Sequence, residues 1–96
     1  MPTLSHDEVE RRLRHLEKWS LAAKAISRQY TFAGFSEAVG FVNRLVPGAE
    51  RADHHPDITI NYNRVTVTYS THSEGGLTEK DFVGAAMADR EAEKRA

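Results

Sequence analysis

The pattern of hydrophobic and polar residues predicts seven elements of secondary structure, and the first is a short helix. Ser5 and Glu8 have the spacing of a capping box, in which two side chains satisfy free N–H groups at a helix start. Apolar residues follow at positions 9, 13 and 16, which places them on one helical face. The pattern predicts an amphipathic helix that ends near Trp19.

Four segments have the period of two that is typical of strands. Within residues 21–32, positions 26, 28, 30 and 32 share one face, and a shorter strand at residues 19–23 is predicted to pair with this segment. The clearest hairpin joins residues 58–62 to residues 65–70 through Asn63-Arg64, because both segments alternate apolar residues with Thr or Asn.

Two further helices are predicted, one on each side of this hairpin. Ser36 is a good N-cap, and apolar residues occur at helical spacing at positions 35, 38, 42, 45, 46 and 49. Pro47 lies inside this stripe and costs about 3 kcal/mol in a helix interior, so a kink or a break is expected there. After Gly75-Gly76, Thr78 is predicted to begin the last helix.

The predicted order of elements is α-β-β-α-β-β-α. Four strands and three helices in this order predict an α+β fold with two layers, in which a four-stranded antiparallel sheet has three helices packed on one face. No internal repeat, low-complexity stretch or linker interrupts the sequence, so residues 1–96 are interpreted as a single domain.

Composition narrows the classes of function. The net charge is −1, which gives no electrostatic reason to expect a nucleic-acid partner or an anionic membrane surface. No apolar run approaches the ~20 residues of a membrane span, and the polar N-terminus is unlike a signal peptide, so a cytoplasmic location is expected. With no cysteine, the chain has no disulfide, no thiol nucleophile and no thiolate zinc site.

Candidate chemistry lies in two short segments that frame the second hairpin. Asp53-His54-His55-Pro56 precedes this hairpin and Thr71-His72-Ser73 follows it, so the two segments hold three of the five histidines. Imidazole has an unperturbed pKa of about 6.5, and it can therefore donate and accept protons near neutral pH. The grouping favours proton-transfer chemistry over packing.

From about Leu4 to Met87 the chain resembles the pterin-4a-carbinolamine dehydratase family. The segments that carry the resemblance are Trp19, Phe32-Ala33-Gly34-Phe35 with Glu37-Ala38, Ala52-Asp53-His54-His55-Pro56-Asp57, Tyr62-Asn63, and residues 70–81, whose sequence is STHSEGGLTEKD. His-His-Pro alone is weak evidence, but together with Thr-His and Gly-Leu-Thr-x-x-Asp at the family's spacing it is strong evidence. Ile58-Thr59 stands where animal members carry an aromatic pair, which resembles the bacterial branch and leaves the side chain of the natural substrate open.

The resemblance implies a reaction and a set of site residues. The reaction is the removal of water from a 4a-hydroxytetrahydropterin to give quinonoid dihydropterin, with no metal or organic cofactor because the pterin is the substrate. His54 and His72 are expected to be the principal acid/base pair, with His55 as a third catalytic residue that binds the pterin. Asp81 is expected to cap the last helix and to orient His72. The expected substrate-binding residues are Trp19, Asp53, His55, Thr71 and Ser73.

Simpler interpretations of the same residues stay open. His54 and His55 could close a helix, because cations are favourable at a helix C-terminus, and His72 could be an exposed loop residue. Asp81 follows Thr78 at capping-box spacing. A carboxylate is favourable at this position of a helix even if it has no catalytic role. Trp19 could be a core anchor rather than a substrate contact.

Two other classes of function compete with the dehydratase. One is an oligomeric binding or regulatory module, because the resemblance implies that some members bind a transcription factor through their oligomer surface. The other is a metal site built from the three histidines, which is disfavoured because adjacent residues rarely direct both side chains at one ion. A homodimer or homotetramer is expected, because covering an open sheet edge is favourable. The resemblance also implies a link to an aromatic amino acid hydroxylase.

Overall fold

A four-stranded antiparallel sheet organises the structure, a computed structural model that describes residues 3–94. The elements are α1 (His6–Leu13), β1 (Ser20–Ala22), β2 (Ala25–Thr31), α2 (Phe35–Ala52), β3 (Asp57–Asn61), β4 (Arg64–Tyr69), a short 3₁₀ helix (His72–Glu74) and α3 (Glu79–Glu93). Across the sheet the strand order is β1-β2-β4-β3. The predicted α+β class, the antiparallel sheet and the order of elements are confirmed.

Alternation along β2 and β4 decides which face of the sheet is buried. Ile26 pairs with Tyr69 and Tyr30 pairs with Val65, and all four side chains are almost completely buried. The helices complete this core with Val9 from α1, Ala38, Phe41 and Leu45 from α2, and Phe82, Ala85 and Ala88 from α3. The sheet therefore has one apolar face beneath the helices, as its period of two predicts.

Helix α1 ends at Leu13, earlier than the predicted end near Trp19. After it the backbone makes tight turns, in which the Leu16 N–H donates to the Leu13 carbonyl and the Trp19 N–H donates to the Leu16 carbonyl. These turns bring Trp19 into the core, where it is 6% exposed. Apolar spacing alone does not distinguish such i to i+3 turns from a continuous α-helix.

The second hairpin turns one residue earlier than predicted. Asn61 pairs with Arg64, so Tyr62 and Asn63 form the turn, and Tyr62 has a positive φ of 54°. The Asn63 side chain donates to the Phe32 carbonyl at 2.9 Å, and the Phe32 N–H donates to the Asn63 carbonyl at 2.8 Å. These two hydrogen bonds hold the turn against the end of β2, which favours this register over a turn at Asn63-Arg64.

Helix α2 continues through Pro47, where the sequence predicts a kink or a break. The helix extends from Phe35 to Ala52, so the break does not occur. Leu45 and Ala49, on either side of Pro47, are 1% and 5% exposed in the core. Packing on both sides of the proline compensates for the backbone hydrogen bond that it cannot make.

Helix α3 is fastened to β2 through the side chain of Asp89. Its Oδ1 accepts hydrogen bonds from the Tyr30 hydroxyl at 2.5 Å, from Arg28 Nη1 at 2.7 Å and from Trp19 Nε1 at 3.1 Å. The Arg28 guanidinium also lies 4.2 Å from the centre of the Tyr30 ring. These four residues form the Asp89 cluster, which fixes the C-terminal half of α3 against the sheet.

The two buried tyrosines predict opposite effects of removing a hydroxyl group. Tyr30→Phe removes the hydrogen bond to Asp89, so we expect the free energy of unfolding to fall by about 1–2 kcal/mol. The Tyr69 hydroxyl is buried and has no hydrogen-bond partner within residues 3–94. Tyr69→Phe should therefore leave the free energy of unfolding unchanged or raise it, as measured by urea unfolding at pH 7. Equal losses in both variants would contradict this assignment of partners.

Alkaline unfolding gives the Tyr69 variant a second readout. Burial, with a smaller contribution from the charge of Asp81, raises the pKa of Tyr69 to about 12. A phenol in the unfolded chain ionises near pH 10, so between these values the unfolded state binds fewer protons than the folded state. The free energy of unfolding therefore falls as the pH rises from about 10 to about 12. This fall should be smaller in Tyr69→Phe than in the wild type.

Candidate active site

Two loops at one end of the sheet carry the candidate residues. Residues 53–56 connect α2 to β3, and residues 70–78 connect β4 to α3. Because Asp57, the first residue of β3, pairs with Thr68 near the end of β4, the two loops leave the sheet at the same end. Loops that a rigid sheet positions in this way are common places for binding and catalytic residues.

A left-handed residue at the end of α2 sets the direction of the first loop. Asp53 is the C-cap of this helix, with φ 50° and ψ 44°. Its N–H donates to the Glu50 carbonyl, and the N–H of His54 donates to the Ala49 carbonyl. The backbone of the loop thus closes the helix, and the Asp53 side chain is exposed.

Asp81 is completely buried and receives three hydrogen bonds. Its Oδ1 lies 2.6 Å from His54 Nε2, while its Oδ2 accepts from the Thr71 hydroxyl at 2.7 Å and from the Thr78 N–H at 3.0 Å. The bond from Thr78 is the predicted helix cap. A buried charge is costly unless it is paired and hydrogen-bonded, and here all three donors come from the two candidate loops and the helix start.

The imidazole that Asp81 orients is His54, which corrects the expectation that it orients His72. The end of α2 packs against the start of α3, so the His54 side chain, 12% exposed, reaches the carboxylate. The side chain of His72 is exposed instead, and its Nε2 lies 3.2 Å from the Ser70 hydroxyl.

The partners of His54 fix both its orientation and its tautomer. Its ring stacks on the Tyr69 ring, with 6.0 Å between centroids and 20° between planes. Because a carboxylate only accepts hydrogen bonds, the His54 Nε2 carries a hydrogen towards Asp81. The other ring nitrogen, Nδ1, is therefore the position at which neutral His54 accepts a proton.

Glu50 is a candidate site residue that the sequence interpretation missed. Its Oε2 lies 2.5 Å from Nε2 of His55, so the second imidazole also has a carboxylate partner, although both side chains are more than half exposed. Glu50 lies in the last turn of α2, five residues before His55. This spacing could have indicated the contact. It was overlooked because a break was expected at Pro47, whereas a continuous helix places Glu50 beside His55.

The remaining predicted site residues divide between the interior and the surface. Thr71 is 8% exposed, and its hydroxyl lies 3.0 Å from the Thr78 hydroxyl as well as bonding Asp81. Ser73 is exposed in the 3₁₀ helix. Trp19 is in the core with its indole N–H on Asp89, and its ring is 6.0 Å from that of Tyr69. The structure thus separates Trp19 from His54 by one aromatic ring.

The three imidazoles line three different cavities. His54 borders a cavity of about 460 Å³ between α2 and α3. His55 borders one of about 230 Å³ between α2 and β3, and His72 borders one of about 500 Å³ beside the turn between β1 and β2. The structure therefore places the rings on neighbouring loops without direct contact, and only His54 is held by a buried carboxylate. Within residues 3–94 no group of three or more His, Asp or Glu side chains is arranged to hold a metal ion.

Comparison with known proteins identifies the family. A sequence model of the family described as Pterin 4 alpha carbinolamine dehydratase matches residues 2–91. A protein of Picosynechococcus named "Putative pterin-4-alpha-carbinolamine dehydratase" is 48% identical over 91% of this chain and 95% of its own length. One of the same name from Chloroflexus aurantiacus is 47% identical over 93% of this chain and 96% of its own. The chain belongs to the pterin-4a-carbinolamine dehydratase family.

Two solved structures extend this comparison. The crystal structure of a transcriptional coactivator/pterin dehydratase from Brucella melitensis has a TM-score of 0.90 and 40% identity, and covers 94% of this chain and 98% of that one. A pterin dehydratase-like protein described as a RuBisCO assembly factor in the alpha-carboxysome has a TM-score of 0.65 and 19% identity, over 80% and 89%. The second likeness shows the fold alone. No helix within residues 3–94 is both long and apolar enough to cross a membrane.

Replacing Asp81 tests whether its charge organises the site. We expect Asp81→Asn to lower the free energy of unfolding by about 2 kcal/mol or more, because an amide places N–H donors against groups that themselves donate. Urea unfolding at pH 7 measures the change. Asp53→Asn is the matched control, since Asp53 is exposed and asparagine tolerates the left-handed conformation, and it should change stability by less than about 0.5 kcal/mol. Similar values for the two variants would contradict the role given to Asp81.

Proposed function

We propose that this protein is a dehydratase that removes water from 4a-hydroxytetrahydropterin to give quinonoid dihydropterin. Membership of the family supports the reaction, and the hydrogen bond between His54 and the buried Asp81 is the observation that carries the proposal for this chain. An imidazole held by a buried carboxylate, with its other nitrogen free to exchange a proton, is suited to acid–base catalysis near neutral pH.

The chemistry requires two proton transfers. The C4a–oxygen bond breaks as the lone pair of the adjacent ring nitrogen forms a double bond to C4a. An acid must protonate the departing hydroxyl so that it leaves as water, and a base must accept a proton from the pterin ring. No electrons leave the substrate and none enter it. The proposed reaction therefore needs no redox cofactor, and the proposal assigns both proton transfers to histidine side chains.

We assign the principal acid and base to His54 and His72. The connection between them runs through Asp81, which holds the His54 ring with one oxygen and the Thr71 hydroxyl, next to His72, with the other. This shared carboxylate fixes the ring of His54 and the backbone that carries His72 relative to each other. His55, oriented by Glu50, is proposed to bind the pterin and to assist as the third catalytic residue.

We also propose that the other predicted site residues contribute to binding of the pterin. The exposed side chains of Asp53 and Ser73 are free to contact a pterin, whereas Thr71 acts through Asp81 and Trp19 through the Tyr69 ring. We further propose that the protein acts in the cytoplasm in tetrahydropterin recycling. Its substrate would then come from an enzyme that hydroxylates C4a of a tetrahydropterin, such as an aromatic amino acid hydroxylase.

Substitutions at the histidines test the reaction directly. His54→Ala and His72→Ala should each slow dehydration of enzymatically generated 4a-hydroxytetrahydropterin by about 10²-fold or more, as followed by ultraviolet absorbance. His54→Gln is the sharper variant, because its amide can donate to Asp81 but cannot exchange a proton near pH 7. It should melt close to the wild type and remain about as slow as His54→Ala.

An exposed histidine in the turn after α1 supplies the control for these variants. His15→Ala should dehydrate the substrate at the wild-type rate, because His15 lies outside the two candidate loops. Rates within a factor of about two of the wild type in His54→Gln or His72→Ala would contradict the acid–base assignment. A wild-type protein that does not accelerate the reaction over the uncatalysed rate would reject the proposed function itself.

A second candidate function is that of an oligomeric, coactivator-like binding module. The observation that favours it is the exposure of large apolar side chains: Phe35 and Val46 of α2 and Tyr62 after β3 are 56%, 52% and 65% exposed. Of the two similar solved structures, one is a transcriptional coactivator/pterin dehydratase and the other is a RuBisCO assembly factor. Large exposed apolar patches commonly mark protein–protein contacts.

We propose that a second copy of this chain covers the edge of the sheet at β3, giving a homodimer or homotetramer. β3 is an edge strand, and its Ile58 and Ile60 are 36% and 37% exposed. Light scattering at micromolar concentration should report an oligomer for the wild type and a smaller species for Ile60→Lys. Leu21→Lys, on the opposite edge strand at 38% exposure, is the matched control and should keep the wild-type mass. A monomeric wild type would contradict this proposal.

A further inference from the structure

We propose that the groove between α2 and α3 binds a phosphorylated aromatic compound of nucleotide size. This helix groove has a volume of about 460 Å³, within the usual range for small-molecule sites. Its rim carries Arg51, Lys80 and Arg90, and its floor includes Gly48, Val83 and Met87. The proposal concerns a ligand other than the substrate of the dehydration. Because His54, the proposed acid or base, lines the same groove, this ligand would compete with a pterin that reaches His54 there.

The two helices run antiparallel along the groove, and this direction determines at which end of the groove each cationic side chain lies. Near one end, Arg44 Nε of α2 donates to the Glu91 carbonyl of α3 at 3.1 Å, and at the other end His54 meets Asp81. Lys80 and Arg90 are ten residues apart on α3, so about 15 Å of helix separates them. Lys80 therefore lies at the His54 end of the groove, and Arg90 lies at the Arg44 end.

The three cations of the rim have no partner of opposite charge within residues 3–94. Arg51, Lys80 and Arg90 make no ion pair or side-chain hydrogen bond within residues 3–94, in contrast with Arg12 and Arg28, which do. Glu79, the acidic residue of this rim, is engaged by Arg12 at 3.4 Å. A chain with a net charge of −1 thus concentrates three unpaired cations around one cavity. Such a cavity is complementary to a multiply charged anion.

One end of the groove suits phosphate in particular. Arg51 and Lys80 line the same end, and Lys80 is the second residue of α3. The first N–H groups of a helix and its dipole favour negative charge at this position. Guanidinium and ammonium groups beside a helix start are a common combination for phosphate recognition.

The floor of the groove suits a flat ring. Gly48 brings α2 so close to α3 that a Cβ placed on it would be 3.0 Å from Met87 Sδ, and Met87 therefore covers this part of the floor. Thioether sulfur makes favourable contacts with aromatic rings. Val83 beside it is 58% exposed, an apolar side chain without a cover. Arg90 at the far end can stack on a ring that lies over this floor.

His54 also borders the groove, so an occupant would lie next to the imidazole that Asp81 holds. The phosphate would stand at the Arg51 and Lys80 end and the ring over Met87. This arrangement matches the length of a nucleoside monophosphate, in which the charged group and the ring are joined by a sugar. A phosphate alone, or an uncharged nucleoside, would use only half of the groove.

Nuclear magnetic resonance of methionine methyl groups tests this placement. The chain has two methionines, Met1 and Met87, so the ε-methyl signal of Met87 is assigned by comparison with Met87→Leu. Titration with guanosine 5′-monophosphate should shift the Met87 methyl signal upfield in a saturable manner, because a ring lies over it, and should leave the Met1 signal in place. Guanosine and inorganic phosphate, titrated separately, should each bind at least about tenfold more weakly.

Matched cation variants complete the test. Arg51→Gln and Lys80→Gln should each weaken binding of guanosine 5′-monophosphate about tenfold, whereas Arg14→Gln, an exposed cation away from the groove, should not change it. The proposal is overturned if the Met87 signal does not respond at millimolar nucleotide, if phosphate alone binds as tightly, or if Arg14→Gln weakens binding as much. Because the readout is binding, these outcomes are separate from the presence or absence of dehydratase activity.

Discussion

The buried carboxylate of Asp81 is the constraint on which the candidate site depends. A carboxylate removed from water is tolerated only where donors surround it, and here the donors come from three separate places in the chain. His54 follows the end of α2, Thr71 follows β4, and Thr78 precedes α3. Satisfying one charge therefore requires all three segments to take up their native positions together. The sheet brings the two loops near each other. The hydrogen bonds that the buried Asp81 carboxylate requires then fix their positions.

The same arrangement explains why an imidazole can be both well ordered and reactive. Asp81 and the Tyr69 ring hold His54 from two directions, and the side chain keeps 12% of its surface open. His55 and His72 are more exposed and have weaker constraints, a surface glutamate in one case and a serine hydroxyl in the other. Among the three imidazoles, His54 has the most preorganised environment, which is the property that positioned proton transfer requires.

Much of the fold follows from the sequence, because the buried strands alternate strictly and the helices carry long apolar stripes. The differences lie where a tertiary contact decides between local alternatives of similar energy. Packing of Leu45 and Ala49 carries α2 through Pro47, and the bonds between Asn63 and Phe32 move a turn by one residue. In the site, the family motif placed the histidines on adjoining loops but did not indicate which one Asp81 contacts, because that depends on the packing of α2 against α3. Glu50 was missed because a break was expected at Pro47, whereas α2 continues to Ala52.

Helix α3 carries two anchoring carboxylates, Asp81 near its start and Asp89 eight residues later. The first belongs to the candidate site, and the second belongs to the cluster with Trp19, Arg28 and Tyr30. A helix that is held at two points along its length can neither slide nor rotate about its axis. The position of Asp81, and with it the orientation of His54, therefore depends partly on contacts made more than two helical turns away. Loss of the contacts of Asp89 would therefore make the orientation of the His54 ring less well defined, even though no residue of the two candidate loops had been changed.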